Sequence, residues 1–214
     1  MVSDKTWVKI CGNTTIDDAL AAVQAGADAI GLIFAPASPR EVNRQEAAEI
    51  VAALPSSVLS IGVVVNENVD FLRGLLRVCR LQGLQLHGDE SPEEVLALRE
   101  DVKFLIKVIR VKDAKSLEAI PSYQGVDAVL LDTFKPLQRG GTGTVFDWGL
   151  IPKAKKYGIP IIVAGGLTPE NVGDLVRQAE PFGVDVVSGV ERSPGRKDQD
   201  LVRRFVLQAK LQAK

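Results

Sequence analysis

Short runs of apolar, largely β-branched residues recur along this chain, and polar segments with helical spacing separate them. The runs are nearly continuous in apolar residues, which is typical of strands buried on both faces of a parallel sheet. Strands are predicted at residues 7–11, 29–34, 59–65, 84–87, 104–111, 128–132, 160–164 and 184–188.

The segments between these runs carry ordinary helix signals. Segment 15–25 opens with a hydroxyl and two acidic side chains, and a glycine follows it. Segment 69–81 places its apolar side chains at the three-and-four spacing of a helix with one buried face. Ser91 and Thr168 each precede a proline, as an N-cap precedes proline at the first helical position. The remaining predicted helices are 46–54, 114–120, 148–157 and 200–212.

Strand–helix units that repeat about every 25 residues leave few economical arrangements. Eight right-handed crossovers can close into an α/β fold of the (β/α)8 TIM-barrel type, and we expect one such domain over residues 1–214. A doubly wound open sheet is the alternative. It requires a dinucleotide-type glycine fingerprint after an early strand, and Cys11-Gly12-Asn13 does not supply one.

Composition excludes several classes of function. Lys and Arg total 26 against 27 Asp and Glu, so no overall field favours nucleic acid or a membrane surface. No run approaches the roughly 18 apolar residues of a membrane span, and the N-terminus lacks a signal-peptide core, so we expect a cytoplasmic protein. Two cysteines and one histidine argue against a disulfide scaffold and a metal centre. We therefore expect a metal-free protein; monomer and homodimer both remain open.

Polar residues cluster at the predicted C-terminal ends of the strands, where the functional rim of such a barrel lies. Cys11 follows Lys9 by two residues, so both side chains face the same side, and Cys11 is a candidate for catalysis or for simple packing. Asp132 ends an apolar strand that is predicted to be buried. Because desolvation raises the pKa of a carboxyl group, this position suits a general acid. The alternative is a carboxylate that caps the following loop.

Other polar positions on the same rim point to a bound small molecule. Arg40, in a Pro-rich loop, offers the bidentate partner that a carboxylate prefers, unless it is simply solvated. His87 suits either a site or a bond between neighbouring strands, and Asp185 also lies at a strand end. Cys79, in the apolar face of the 69–81 helix, is interpreted as core packing.

Two glycine turns predict a phosphate site. Gly165 and Gly166 connect one strand to the next helix start, and Ser188 with Gly189 repeat the strand-to-glycine step one unit later. Glycines let backbone N–H groups approach an anion, and these two loops are the usual phosphate site of the barrel. Tight turns without a ligand are the alternative interpretation.

Residues 138–144 follow the Asp132 strand and are rich in glycine. They lack the Lys-Ser/Thr ending of a nucleotide-binding loop, so we reject nucleoside triphosphate binding. We expect residues 140–143, with Gly141 against the substrate, to form a lid that closes over the site.

The order of several short motifs resembles that of phosphoribosylanthranilate isomerases over nearly the whole chain. The motifs are Lys9-Ile10-Cys11-Gly12, Ala29-Ile30-Gly31-Leu32-Ile33-Phe34, Ser38-Pro39-Arg40, Gln85-Leu86-His87-Gly88, Leu131-Asp132, Gly140-Gly141-Thr142-Gly143, Ala164-Gly165-Gly166-Leu167 and Ser188-Gly189-Val190-Glu191. Each tripeptide alone is weak evidence, whereas eight in the same order are specific.

The resemblance implies a cofactor-independent aldose–ketose isomerase, an intramolecular oxidoreductase of tryptophan biosynthesis acting on a small phosphosugar by an Amadori rearrangement. By that resemblance Asp132 is the general acid that opens the ribose ring, and Cys11 is the base that removes the C2′ proton. Arg40 would hold the anthranilate carboxylate, with Asp185 near the same end. Gly165, Gly166, Ser188 and Gly189 would bind the phosphate.

Two positions depart from the family pattern. Thr144 stands where many relatives carry lysine, and Val187 stands where a second serine is common, so the phosphate would depend more on backbone donors.

Two other functions are compatible with parts of the sequence. One is a related phosphosugar isomerase or epimerase, which often needs metal ligands or paired acids; the other is a catalytically silent barrel that only binds a phosphorylated ligand.

Overall fold

A computed structural model describes residues 6–36, 38–133 and 146–211. Their strands form a closed barrel in which each strand pairs in parallel with the next and the last pairs with the first. The barrel strands are β1 (Trp7–Ile10), β2 (Ala29–Ile33), β3 (Leu59–Val64), β4 (Gly83–Leu86), β5 (Phe104–Val111), β6 (Ala128–Thr133), β7 (Ile161–Val163) and β8 (Gly183–Val186). The predicted α/β barrel is therefore confirmed.

Helices cover the outside of this barrel. They are α1 (Ile16–Gln24), α2 (Arg44–Ala53), α3 (Val69–Cys79), α4 (Pro92–Leu96), α5 (Ile151–Lys155), α6 (Val172–Ala179) and α7 (Gln199–Leu211). A 3-10 helix, Ala114–Tyr123, takes the place of an α-helix between β5 and β6; Pro121 inside it lacks the N–H that an α-helix would need. No helix in the described ranges is long and apolar enough to cross a membrane.

Capping explains where three helices depart from the predicted bounds. The second helix begins two residues earlier than predicted because Asn43 and Glu46 form a reciprocal capping box ahead of it. The third ends at Cys79 because Arg80 adopts a left-handed conformation with φ 54°. The sixth begins at Val172 rather than beside Thr168, because the Asn171 side chain accepts from the Thr168 amide at 2.8 Å and holds a turn there.

The segment predicted as one helix over 148–157 is divided in two. A 3-10 turn, Trp148–Leu150, precedes α5, which contains Pro152 in its first turn. Proline is accommodated there because the first N–H groups of a helix have no internal acceptor.

The barrel interior has an apolar lower part and a polar upper part. Its apolar residues are Ala29, Ile61, Ile106, Val108, Ala128, Leu130, Ile162 and Ala164. Above them, buried polar side chains enter from the C-terminal ends of the strands: Lys9, Gln85, Asp132 and Asp185. Burying these polar groups costs free energy unless other groups hydrogen-bond to them or pair with their charges.

A small hairpin follows β8 and was not predicted. It consists of β9 (Glu191–Ser193) and β10 (Arg196–Lys197), which pair antiparallel around Gly195 with φ 78°. The Thr14 hydroxyl donates to the Gly195 carbonyl at 2.6 Å, so the hairpin is fixed against the loop that follows β1.

Candidate active site

A cavity of about 640 Å³ opens at the C-terminal ends of the strands. Its walls include Cys11, Arg40, His87, Asp132, Gly165, Gly166, Asp185, Ser188 and Gly189. The structure thus brings together on one surface every candidate residue of the sequence analysis except Gly141. Gly141, the proposed lid 140–143 and Thr144 lie outside the described residues.

Cys11 lies directly after β1 and is 2% exposed. The chain makes room for its thiol at Gly31 on the neighbouring strand, where a Cβ would lie 2.5 Å from Cys11 Sγ. Burial raises the pKa of the Cys11 thiol, and the charge of Lys9 offsets only part of that effect. The sequence position beside Lys9 therefore does not by itself give a reactive thiolate.

Lys9 and Asp185 form a buried ion pair between β1 and β8. The strand register places the two residues opposite each other, and Lys9 Nζ donates to Asp185 Oδ1 at 3.0 Å. Burial lowers the pKa of Lys9, but the charges and hydrogen bonds of Asp185 and Cys11 outweigh it and leave the pKa raised. Lys9 is therefore an ammonium group that donates to the site rather than a base.

Asp132 enters the cavity from β6 and is 4% exposed. Its Oδ1 accepts from the Thr133 amide at 2.8 Å, while Oδ2 lies 3.4 Å from His87 Nε2. The imidazole is not aligned for a hydrogen bond at this distance, and within the described residues Nε2 has no other partner. His87 Nδ1 lies 3.4 Å from Gln85 Nε2, so His87 belongs to the cavity wall beside the carboxyl group.

Arg40 is fixed by a residue that the sequence analysis did not assign a role. Arg40 Nε donates to Glu191 Oε1 at 2.8 Å and Nη2 donates to Glu191 Oε2 at 2.7 Å. The Arg40 side chain passes over Gly12, where a Cβ would lie 3.0 Å from Arg40 Cδ. The guanidinium is therefore a bound part of the wall, and simple solvation of Arg40 is wrong.

Glu191 is itself held by Lys197 of the hairpin. Lys197 Nζ lies 3.3 Å from Glu191 Oε1 and donates to the carbonyl of Cys11 at 2.6 Å. Burial would raise the pKa of Glu191, but the hydrogen bonds from Arg40 and the charge of Lys197 lower it. The only sequence signal for this arrangement is the Pro-Gly turn between the two residues, which indicates a hairpin but not its contacts.

The two glycine turns form adjacent walls of the cavity. Gly165 and Gly166 both have left-handed φ, 83° and 69°, which glycine adopts without strain. A Cβ on Gly189 would lie 1.9 Å from the Leu167 carbonyl oxygen, so the two loops touch through their backbones. Gly165 also lies against Asp132, where a Cβ would be 2.7 Å from Oδ1. The glycine turns and the Asp132 carboxyl group are therefore neighbours.

Other groups near the cavity were missed from the sequence. The Gln85 side chain is buried, and within the described ranges its Oε1 has no hydrogen-bond partner. Asn13 is also buried and donates to the Ile10 carbonyl at 2.8 Å beneath the Cys11 turn. In the part of the chain that the structure describes, no three His, Cys, Asp or Glu side chains are grouped to hold a metal ion.

Known proteins of one family match this chain over nearly its full length. The family model of N-(5′-phosphoribosyl)anthranilate isomerase matches residues 8–208. The enzyme of that name from Geobacter sulfurreducens is 48% identical over 203 residues, covering 95% of this chain and 98% of the relative. The one from Rubrobacter xylanophilus is 48% identical over 206 residues, with coverage of 95% and 98%.

Solved structures give the same answer. The phosphoribosyl anthranilate isomerase of Thermotoga maritima superimposes with a TM-score of 0.89 at 38% identity, covering 95% of this chain and 98% of that one. A structure of phosphoribosyl anthranilate isomerase in complex with reduced 1-(o-carboxyphenylamino)-1-deoxyribulose 5-phosphate matches with a TM-score of 0.86 at 36% identity, covering 95% and 98%. This chain belongs to the N-(5′-phosphoribosyl)anthranilate isomerase family.

Proposed function

We propose that this protein converts N-(5′-phosphoribosyl)anthranilate into 1-(2-carboxyphenylamino)-1-deoxyribulose 5-phosphate by general acid–base catalysis, as a cofactor-independent aldose–ketose isomerase. The observation that carries the proposal is that Cys11 and Asp132 line one cavity together with Arg40 and both glycine turns. The substrate bears a carboxylate and a phosphate, and this cavity offers an arginine and a two-loop anion site.

Asp132 is the proposed general acid. It gives a proton to the furanose ring oxygen, the C1′–O bond breaks, and the anilino nitrogen lone pair forms the C1′=N bond of a protonated Schiff base. His87, 3.4 Å from the Asp132 carboxylate, supplies a nearby polar group for this proton transfer. Asp132 lies against Gly165, so its carboxyl group is on the side of the cavity where the phosphate is proposed to bind. This position suits a sugar held by its phosphate.

Cys11 is the proposed general base. It removes the C2′ proton, which the adjacent iminium group makes acidic, and the released electron pair forms the C1′=C2′ bond of an enolamine. Protonation of C1′ and loss of the C2′ hydroxyl proton then give the ketone product. Lys9, with its charge beside Cys11, favours the thiolate that this step needs, against the opposing effect of burial.

Arg40 is the proposed anchor for the anthranilate carboxylate, and Asp185 lies at the same end of the cavity beside Cys11. Gly165, Gly166, Ser188 and Gly189 are proposed to hold the phosphate. Val187, where a serine is common in relatives, packs toward Gly12, where a Cβ would lie 3.2 Å from Val187 Cγ1. No hydroxyl reaches the anion from that position, so backbone N–H groups take a larger share.

The test is the loss of phosphoribosylanthranilate fluorescence after the protein is added. Cys11→Ser and Asp132→Asn are each expected to abolish turnover while circular dichroism shows an intact fold. Cys79→Ser is the matched control, because this second buried cysteine lies in α3 with its Sγ bonded to the Arg44 carbonyl at 3.4 Å. A Cys11→Ser variant that kept most of its rate would refute the base assignment. A wild-type protein without turnover would leave only a phosphate-binding barrel.

A further inference from the structure

Arginine is an effective carboxylate anchor only when its guanidinium is held in one orientation. The free side chain carries about 2 kcal/mol of rotamer entropy, and Arg40 projects from the loop after β2 rather than from a strand. Ordering it on binding would reduce affinity, whereas ordering it beforehand would not. In this structure, hydrogen bonds within the protein order the Arg40 side chain before a ligand binds.

We propose that Glu191 is a positioning residue that holds Arg40 for the anthranilate carboxylate and thereby sets the selectivity of the site for sugar phosphates bearing a carboxylated aryl amine. This inference rests on the proposed function. The Arg40–Glu191 contact is a two-point fork, and Glu191 is 4% exposed, so the pair is shielded from solvent. Within the described residues the Arg40 side-chain bonds use Nε and Nη2, which leaves Nη1 to donate to a ligand.

Glu191 is held on its other side by the hairpin. Its Oε1 accepts from the Gly195 amide at 3.2 Å and from Lys197 Nζ at 3.3 Å. These contacts fix the carboxylate to the loop that connects β9 and β10. Two cations and one backbone amide therefore share a single carboxylate, which leaves the Glu191 side chain one orientation.

Lys197 extends the same network to the proposed base. Its Nζ donates to the carbonyls of Cys11 at 2.6 Å and Val187 at 3.1 Å, which stand at the ends of β1 and β8. The Lys197 side chain is fully buried, so these carbonyls accept its hydrogen bonds in place of water. Lys197 therefore contacts both the Cys11 carbonyl and Glu191, which binds Arg40. Through these contacts the proposed carboxylate anchor keeps a fixed position relative to C2′ of the sugar.

The experiment measures dissociation constants for two ligands by calorimetry. One is reduced 1-(o-carboxyphenylamino)-1-deoxyribulose 5-phosphate, and the other is its phenylamino counterpart without the ring carboxylate. The dissociation constant of the phenylamino ligand divided by that of the carboxylated ligand isolates recognition of the carboxylate. Glu191→Gln is expected to reduce this ratio on the order of tenfold, while the affinity for the phenylamino ligand stays within about twofold.

Arg40→Met and Glu90→Gln are the comparisons. Arg40→Met is expected to bring the ratio close to that of Glu191→Gln or below it. Glu90→Gln removes another buried carboxylate, one bonded to Lys107 Nζ at 2.7 Å and outside the cavity wall, so both ligands are expected to weaken by the same factor. A general structural effect of Glu191 would behave like Glu90→Gln and leave the ratio unchanged.

The outcomes separate the inference from the proposed function. A wild-type protein that turns over substrate, with a ratio lowered by Arg40→Met but not by Glu191→Gln, would overturn the positioning role alone. A ratio unaffected by Arg40→Met would overturn the anchor and the inference together, and absent turnover would overturn the proposed function. If Glu191→Gln does not fold, Glu191→Asp retains the charge with one methylene less reach, and its ratio is expected to fall in the same direction.

Discussion

Lys9 Nζ and Asp185 Oδ1 are joined at 3.0 Å across the strand pair that closes the barrel, although 176 positions separate them in the chain. Both side chains are buried, with exposures of 0% and 4%. Because the pair lies beside Cys11, it links barrel closure to the electrostatics of the proposed base. The stability of this pair can be measured separately from activity.

Lys9→Met is expected to destabilise the fold by about 3–5 kcal/mol at pH 7, because it leaves a buried carboxylate without its partner. The folded-state pKa of Lys9 is raised, so its contribution is fully present below the unfolded-state pKa and is lost as the pH rises through the folded-state pKa. Urea unfolding at pH 7 and at strongly alkaline pH measures both effects.

The exposed pair of Asp200 and Arg203 in α7 is the control for that measurement. Asp200→Asn is expected to leave the urea midpoint unchanged, since solvent screens such a pair. A Lys9→Met midpoint equal to that of wild type would show that the buried pair contributes nothing net.

The alkylation rate of Cys11 by iodoacetamide, measured in a Cys79→Ser background, is expected to keep rising at alkaline pH beyond the range of an ordinary thiol. Burial raises the pKa of Cys11, so the thiolate fraction grows only at higher pH. Lys9→Met is expected to slow alkylation at any fixed pH, because the charge of Lys9 makes the largest contribution that lowers this pKa. A rate that levelled off near neutral pH would contradict a raised pKa.

Gly31→Ala is expected to reduce turnover at least tenfold, on the order of 1.4 kcal/mol in the barrier. The new Cβ would lie 2.5 Å from Cys11 Sγ and 3.0 Å from Cys11 Cα, so the thiol has to move. Gly74→Ala is the matched control, because a Cβ there meets nothing within 4 Å in the middle of α3. That variant is expected to keep its rate and gain roughly 0.5–1 kcal/mol of stability.

Gly189→Ala is expected to raise the KM for substrate on the order of tenfold, and to weaken inhibition by inorganic phosphate in parallel. Its Cβ would lie 1.9 Å from the Leu167 carbonyl oxygen, which forces the two glycine loops apart. Ser188→Ala removes only a hydroxyl and is expected to have the smaller effect. If Gly189→Ala changed KM but not phosphate inhibition, the loops would not be the phosphate site.

The sequence was sufficient for the strand order and for most of the candidate residues that line the cavity. Continuous apolar runs predict buried parallel strands, and eight of them can close into a barrel. The missing dinucleotide-type glycine fingerprint disfavoured the open sheet. Polar residues at strand ends predict a shared rim since the geometry of the barrel brings those ends together. Cys11, Asp132 and both glycine turns could be found in this way.

Helix bounds were less predictable because capping contacts decide them. Asn171 bonds to Thr168 and to the Gly166 carbonyl, and this turn delays α6 although the Thr-Pro sequence indicates an earlier start. The 3-10 helix that contains Pro121 follows similarly from a local constraint on the backbone. These contacts add about 1 kcal/mol each, which is enough to shift a boundary but too little to change the fold.

Amino-acid order alone thus determined the architecture and the types of group at the rim, because periodicity and strand ends are local features of a chain. Partnerships among buried charges were decided only in three dimensions. Lys9 meets Asp185 and Glu191 binds Arg40, because strand register and the hairpin bring positions 176 and 151 residues apart within 3.0 Å. A charge far from its partner in sequence gives no sign of that partner until the barrel closes and removes both from water.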